Sequence, residues 1–87
     1  MPRVFIPPLL RPLTNGVSET IVEGDTVRVL IDNLEVRFPG FRDRLCDDDE
    51  LKSSLRVTVD CHVSVLGLLE SVGPDSEVHF LPAISGG

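Results

Sequence analysis

The stretch GDTVRVLIDNLEVRFPGF, residues 24–41, limits what this chain can fold into more than any other segment. Its apolar residues follow the three- and four-residue spacing of an amphipathic helix, at Val27, Leu30, Ile31, Leu34 and Phe38. Asp25 or Thr26 supplies a side-chain oxygen to the first free amide groups of that helix. Pro39 disfavours helical backbone at the residue before it, and Gly40 completes the stop. The pattern therefore predicts one main helix with a single apolar face to bury.

Two short strand patterns precede this helix. Residues 3–6 alternate between two faces and predict a first strand, which Pro7 and Pro8 end. The Asn15-Gly16 pair is a signal for a tight turn, because both residues tolerate positive φ. Residues 17–22 predict a return strand, but their apolar side chains fall on both faces, so the pattern does not select its inward face.

Further strand patterns follow the helix. Residues 55–60 alternate cleanly between apolar and polar side chains, as in a half-buried strand. Residues 62–65 are consistent with a short edge strand, and residues 77–81 predict a last strand that directs Val78 and Phe80 to the core. The order β-β-α-β-(β)-β predicts an α+β fold, in which the main helix packs on one face of a mixed sheet.

The other face of the sheet is expected to stay open and to carry Phe5, Arg56, Thr58, His79 and Leu81. Exposed Phe5 and Leu81 beside His79 would form a small apolar patch with a polar rim, which predicts a partner-binding face. The alternative is that the loop at residues 9–13 covers Phe5. His79 is expected to pack in this face and receives no catalytic role.

Charge and hydropathy exclude several classes of function. The net charge of −6 over 87 residues disfavours nucleic-acid binding, because the chain would repel a phosphate backbone. A long apolar run and a signal-peptide pattern are both missing, so we expect a single cytoplasmic domain that does not enter membranes. We also expect the chain to be monomeric when free.

The polar side chains do not follow the spacing of a metal site. Cys46 and Cys61 are expected to be free thiols, and a disulfide between them is the alternative. His62 and His79 lie too far apart in sequence for a zinc motif. The acidic run at residues 47–50 predicts a solvated loop, with docking to a basic partner or a weak divalent-ion site as the alternatives.

These features together resemble the ubiquitin-like sulfur-carrier proteins. The resemblance rests on the hairpin, the GDTV helix start, the FPGF stop, the RVTVD strand and the ending VHFLPAISGG, and it covers essentially the whole chain. The family includes the small subunit of molybdopterin synthase, the thiamine-pathway carrier and the carrier of a cysteine-synthesis route, which this tail resembles most. Two loops depart from the family pattern, at residues 60–62 and 73–76, and they bear on partner specificity.

The resemblance implies a β-grasp domain at residues 1–81, with a four- to five-stranded mixed sheet, and a flexible tail at residues 82–87. It also implies that a ubiquitin-activating-like enzyme uses ATP to adenylate the carboxylate of Gly87, and that sulfur then converts it to a thiocarboxylate. The tail residues required for this activation would be Pro82, Ala83, Ile84, Ser85 and Gly86. The chain itself would be a co-substrate and not an enzyme, without a stably bound cofactor.

The physical properties of the tail suit this role. Pro82 lacks an N–H group, so we expect it to end the strand ladder and release the tail. Glycines at positions 86 and 87 let the backbone approach a reactive group closely, because no Cβ intervenes. The sulfur would pass to an acceptor enzyme of the cysteine-synthase type or to a molybdopterin synthase large subunit.

Two other functions stay open from the sequence. The chain could be a protein modifier that forms an isopeptide bond through Gly87, since the activation step is the same. It could also be a β-grasp interaction domain whose terminal glycines have no chemical role.

Overall fold

The computed structural model describes residues 1–48 and 50–82. Within these ranges the chain forms two helices, two 3₁₀-helices and seven short strands. In chain order they are β1 (Arg3–Phe5), the first 3₁₀-helix (Pro8–Thr14), β2 (Glu19–Ile21), α1 (Val27–Arg37), α2 (Phe41–Leu45), β3 (Cys46–Asp47), β4 (Glu50–Leu51), β5 (Leu55–Val59), β6 (His62–Val63), the second 3₁₀-helix (Gly67–Leu69) and β7 (Glu77–Pro82).

Five of these strands form the main sheet, in the spatial order β2-β1-β7-β5-β6. β1 and β7 run parallel, and each other neighbouring pair is antiparallel. The predicted α+β fold is confirmed, with a mixed sheet packed on one main helix. The edge strand predicted at residues 62–65 is present as the two-residue strand β6.

The predicted helix is present as α1, and the structure selects Thr26 over Asp25 as its cap. The Thr26 hydroxyl accepts a hydrogen bond from the Val29 N–H at 3.3 Å. The predicted apolar face is buried at its first four positions, and Phe38 packs against the core from the helix end. A short second helix follows the stop, and it buries Phe41 and Leu45 completely.

The segment between β1 and β2 differs from a simple hairpin. The Asn15-Gly16 turn is confirmed, with φ of 56° and 85°, but it ends the first 3₁₀-helix instead of joining two strands directly. The sequence pattern did not decide which face of β2 points toward the core. In the structure it is the face that includes Val22, the residue directly after β2. Val22 is 2% exposed, whereas Val17 and Ile21 are 37% and 50% exposed.

Asp47 and Glu50 of the acidic run lie in paired strands, where the sequence predicted a solvated loop. Strands β3 and β4 pair antiparallel, with Cys46 opposite Leu51 and Asp47 opposite Glu50. The loop prediction is therefore wrong for these positions, because burial of Cys46 and Leu51 against the core holds both sides of the turn. Asp47, Asp48 and Glu50 still face solvent.

Both cysteines are free thiols, as expected. Cys46 is buried and Cys61 is exposed, and burial raises the pKa of the Cys46 thiol.

Pro82 is itself paired in the sheet. It is the last residue of β7 and lies opposite Leu55 in β5. β1 pairs with β7 only as far as His79, so one side of Pro82 has no neighbouring strand within the described residues. A residue without an N–H group is tolerated at such a position. The bounds predicted for the domain and the tail stay a prediction.

The turn between β5 and β6 ties the start of β7 in place. Asp60 and Cys61 both have positive φ, at 51° and 71°. The Asp60 carboxylate accepts hydrogen bonds from the Glu77 N–H at 3.0 Å and from the Ser76 hydroxyl at 2.8 Å. These bonds hold the pKa of Asp60 below its usual value. The unusual turn residues thus join two distant segments of the chain.

We expect the Asp60→Asn variant to be less stable at neutral pH and less sensitive to acid. A lowered carboxyl pKa contributes stability above the unfolded value of about 3.9, and this contribution is lost as the pH falls through the folded value. Urea denaturation between about pH 6 and pH 2 measures this difference. Glu35 contributes with the same sign, because its carboxylate accepts the N–H groups of Gly40 and Arg42.

The exposed Asp75 offers a matched control, since Asp75→Asn removes a carboxyl group from the neighbouring loop. That variant should keep the acid sensitivity of the parent protein. Equal acid sensitivity of the Asp60 and Asp75 variants would contradict the role assigned to the Asp60 carboxylate.

Candidate functional site

A row of side chains crosses the open face of the sheet on all five strands. Its members are set by the strand register: Phe5 lies opposite His79, His79 lies opposite Thr58, and Thr58 lies opposite Val63. Glu19 completes the row on β2. Directly paired residues direct their side chains to the same face, so these five groups form one continuous strip.

The centre of this strip is a stacked aromatic pair. The rings of Phe5 and His79 lie 4.1 Å apart between centroids and only 4° from parallel. Both side chains are half-buried, so each ring keeps one part of its surface open to solvent. Thr58 beside them is 8% exposed, in contrast to the open position predicted for it. The pair therefore offers a flat and preorganised apolar surface.

The loop after β1 does not cover Phe5 as the alternative prediction had it. The first 3₁₀-helix directs Leu10 into the core and leaves Leu9 87% exposed. Pro8 and Arg11 of this helix line, together with Phe5, a shallow groove of about 470 Å³. Arg11 adds a positive charge to the groove, and its Nε donates to the Ile6 carbonyl at 3.2 Å.

Residues 79–82 of β7 also line this groove. Leu81, on the same face as His79, is 44% exposed, and with Pro82 it lines the groove. The structure thus brings together all three residues of the predicted partner-binding face, Phe5, His79 and Leu81. Their role in binding a partner stays a prediction. The predicted tail residues Ala83, Ile84, Ser85, Gly86 and Gly87 lie outside the described residues.

Sequence reasoning missed two residues of this face. Arg11 was read as part of a loop, and only the 3₁₀-helix places it beside Phe5. Val63, which is 60% exposed, enters the strip because β6 pairs with β5 in one particular register. Neither position carries a local sequence signal, since both depend on contacts between distant segments.

A metal site and a membrane-spanning helix both place requirements on the described residues. Within residues 1–48 and 50–82, no three histidine, cysteine or acidic side chains lie close enough together to hold a metal ion. In the same ranges, none of the helices has the length and apolar character needed to cross a membrane.

No protein-family model matches the chain. Among curated proteins, the sulfur carrier protein CysO of Mycobacterium tuberculosis is 32% identical over an alignment of 90 residues. The alignment covers 97% of this chain and 96% of that protein. Among solved structures, the BexX/CysO complex of Amycolatopsis orientalis contains a chain with 31% identity and a TM-score of 0.91, with 100% of both chains covered.

The chain is also similar to a protein whose name indicates a different role. The small archaeal modifier protein SAMP1 of Haloferax volcanii has a TM-score of 0.69 and 25% identity, with 99% of this chain and 98% of that chain covered. Two roles are named among these proteins. The carrier role is the one that the family resemblance implied, and the modifier role is the first of the two alternatives that the sequence left open.

Proposed function

The chain belongs to the CysO family of sulfur carrier proteins, and we propose that it carries sulfur as a thiocarboxylate on Gly87 for cysteine biosynthesis. The observation that supports this proposal most is the similarity to CysO over 97% of the chain. The Gly86-Gly87 ending supplies the carboxylate that the chemistry needs. The cysteine-synthesis carrier was also the family member that the tail resembled most.

The proposed reaction begins with a carboxylate that is a poor electrophile, because it is charged and has no leaving group. An oxygen of the Gly87 carboxylate attacks the α-phosphate of ATP and releases pyrophosphate, which gives an acyl adenylate. The outer sulfur of a persulfide on the sulfur source then attacks the acyl carbon and displaces AMP, which gives an acyl disulfide. A second thiol of the sulfur source cleaves the S–S bond, so that a disulfide forms on the source and the thiocarboxylate is left on Gly87. That sulfur attacks an activated acceptor, and hydrolysis restores the carboxylate.

In this scheme the folded domain is the part that enzymes hold, and the tail is the part that reacts. We propose that the activating enzyme is a ubiquitin-activating-like adenylating enzyme and that the acceptor is a cysteine synthase. The relative in the BexX/CysO complex supports binding of protein partners by this family. We assign the chain the role of a co-substrate that acts in the cytoplasm, where its activating enzyme uses ATP.

Intact-mass measurement tests this function directly. The chain is incubated with the adenylating enzyme of its own organism, ATP and a persulfide sulfur source. We expect the mass to increase by the difference between one sulfur and one oxygen atom, and only when ATP is present. If the mass stays unchanged while the enzyme activates its other carriers, the proposed function is wrong.

The likeness to SAMP1 favours protein modification as the second candidate. That function predicts conjugates of higher mass that resist thiol reductant, because an isopeptide bond is not cleaved by thiols. The acceptor distinguishes the two functions, since activation is the same. Blots of cell extract with an antibody against the chain would show such conjugates for a modifier and free chain for a carrier.

We expect the Phe5→Ala variant to bind the adenylating enzyme about tenfold more weakly than the parent protein. The substitution removes the ring that stacks on His79 and that lines the groove. Steady-state activation should show a raised KM with little change in kcat, because this face binds the enzyme and does not react.

Val36→Ser is the matched control for this variant. Val36 is 83% exposed on α1, so the change removes apolar surface away from the groove. An unchanged KM for Phe5→Ala, or an equal rise in KM for both variants, would contradict the assignment of this face.

A further inference from the structure

A second apolar surface lies at the second 3₁₀-helix, which packs against α1 and β4. The side chains of Val65, Leu66 and Leu69 are 93%, 56% and 70% exposed, and with Leu51 they line one shallow groove. We call these four residues the Leu66 surface. Among the described residues, it shares no lining residue with the groove at Phe5. Adjacent exposed apolar side chains of this size are typical of a site for another molecule.

The backbone beneath this surface is held rigidly. The Ser64 hydroxyl accepts hydrogen bonds from the N–H groups of Leu66 and Gly67, both at 3.0 Å, and donates to the Glu70 carboxylate at 2.7 Å. Leu68 lies in the core at 7% exposure and anchors the segment from within. A surface that is already ordered loses little conformational entropy when it binds a partner.

The acidic hairpin formed by β3 and β4 lies beside the Leu66 surface. Glu50 lines the same groove, and Asp47 and Asp48 of this hairpin face solvent. Arg28 places one positive charge on the α1 side of the groove. Because the chain as a whole carries a net charge of −6, a partner with a positive rim would be attracted to this side.

We propose that the Leu66 surface and the acidic hairpin together dock a protein partner that presents apolar side chains within a rim of lysine or arginine. The proposal rests on the proposed function, since a sulfur carrier must be held by an activating enzyme and then by an acceptor enzyme. The Leu66 surface gives such an enzyme a second contact that the groove at Phe5 does not provide. It also gives the acidic run a role.

A second copy of this chain fits the surface less well. Two copies bring together two acidic hairpins and two net charges of −6, which repel each other. Four apolar side chains also cover much less than the roughly 800 Å² per partner that a stable interface buries. A partner of opposite charge does not meet this repulsion, and an enzyme that also binds the groove at Phe5 buries further surface there.

Two double variants test the proposal, and a third serves as the control. Binding is measured by calorimetry against the adenylating enzyme and the acceptor enzyme of the same organism. Leu66→Ser with Leu69→Ser is expected to raise the Kd for at least one enzyme about tenfold or more. Asp47→Asn with Asp48→Asn is expected to slow association and reduce its salt dependence. Asparagine tolerates the positive φ of 56° at position 48, so this variant should fold normally.

The control is the double variant Leu9→Ser with Val36→Ser, which removes side chains that are 87% and 83% exposed elsewhere. It should bind both enzymes like the parent protein. Equal Kd values for all variants and both enzymes would overturn the docking proposal. A dimer in sedimentation that the Leu66 and Leu69 substitutions abolish would also overturn it, in favour of a second copy.

The intact-mass measurement separates this proposal from the proposed function. If the parent protein forms a thiocarboxylate and the variants bind normally, the docking proposal fails and the sulfur function stands. If the apolar double variant binds an enzyme weakly but the parent protein gains no sulfur, the docking proposal stands and the sulfur chemistry is wrong.

Discussion

Removal of Gly86 and Gly87 is expected to abolish thiocarboxylate formation and to leave the folded domain as stable as the parent protein. The truncated chain would end on Ser85 and present its carboxylate two residues too early. At about 3.3 Å per residue, this moves the reacting group roughly 7 Å from its proper place. A displacement of even about 1 Å can cost a hundredfold in rate, so the reaction should fall below detection.

A point substitution makes the same test more stringent. Gly86→Val keeps the length of the tail but adds a branched side chain next to the reacting residue. We expect the rate of thiocarboxylate formation to fall by about a hundredfold or more, because the added side chain keeps the backbone from approaching the reactive group closely. Intact-mass measurement over time, with the adenylating enzyme, ATP and a persulfide source, gives the rate.

Binding distinguishes loss of chemistry from loss of docking. The groove at Phe5 and the Leu66 surface both lie within residues 1–82, so both tail variants should still bind the adenylating enzyme and inhibit activation of the parent protein. The thermal unfolding midpoint should also stay unchanged. A truncated chain that gains sulfur at the normal rate would show that the terminal glycines have no chemical role, as in a plain interaction domain.

Phe41→Ala is expected to have the largest effect on stability of any single change considered for this chain. Phe41 is 0% exposed and is the largest of the fully buried side chains. Replacing a buried phenylalanine with alanine costs about 3–5 kcal/mol, through lost apolar burial and the cavity that remains. Small domains have a free energy of unfolding of roughly 5–15 kcal/mol, so this variant would be partly unfolded under mild conditions.

The position of Phe41 explains why the protein cannot adjust easily. It begins α2, a helix of five residues that is too short to be stable without packing. Loss of the ring therefore loosens α2 and the acidic hairpin that follows it directly in the chain. Urea denaturation measures the change in the free energy of unfolding.

Phe5→Ala serves as the matched control, since it removes the same ring from a half-buried position. It loses the stack on His79 and part of its apolar burial, so we expect a smaller cost of about 1–2 kcal/mol. Similar losses for the two phenylalanines would contradict the distinction between a core ring and a surface ring.

Local patterns predicted the helix and the alternating strands well. The spacing from Val27 to Leu34 and the Pro39-Gly40 stop act through neighbouring residues, so the sequence contains all the information they need. The same holds for Val78 and Phe80, because alternation along one strand already separates core from surface. The similarity to known carriers then confirmed the family that the motifs had indicated.

Local patterns were not sufficient where a residue depends on a distant part of the chain. Pro82 remains in the sheet because β1 ends before reaching it, which no local rule for proline can show. The acidic run forms a hairpin because Cys46 and Leu51 beside it are held against the core. The inward face of β2 likewise follows from its pairing with β1.

The sequence by itself determined the secondary structure of the core elements, the family and the glycine-rich tail, because each depends on residues that lie close together in the chain. Only the tertiary structure decided which surfaces these elements build. In the tertiary structure the ring of Phe5 stacks on His79, the Asp60 carboxylate is hydrogen-bonded to the start of β7, and the acidic hairpin lies beside Leu66. Each of these contacts depends on strand register and on packing between segments far apart in sequence, and local residue patterns do not specify either.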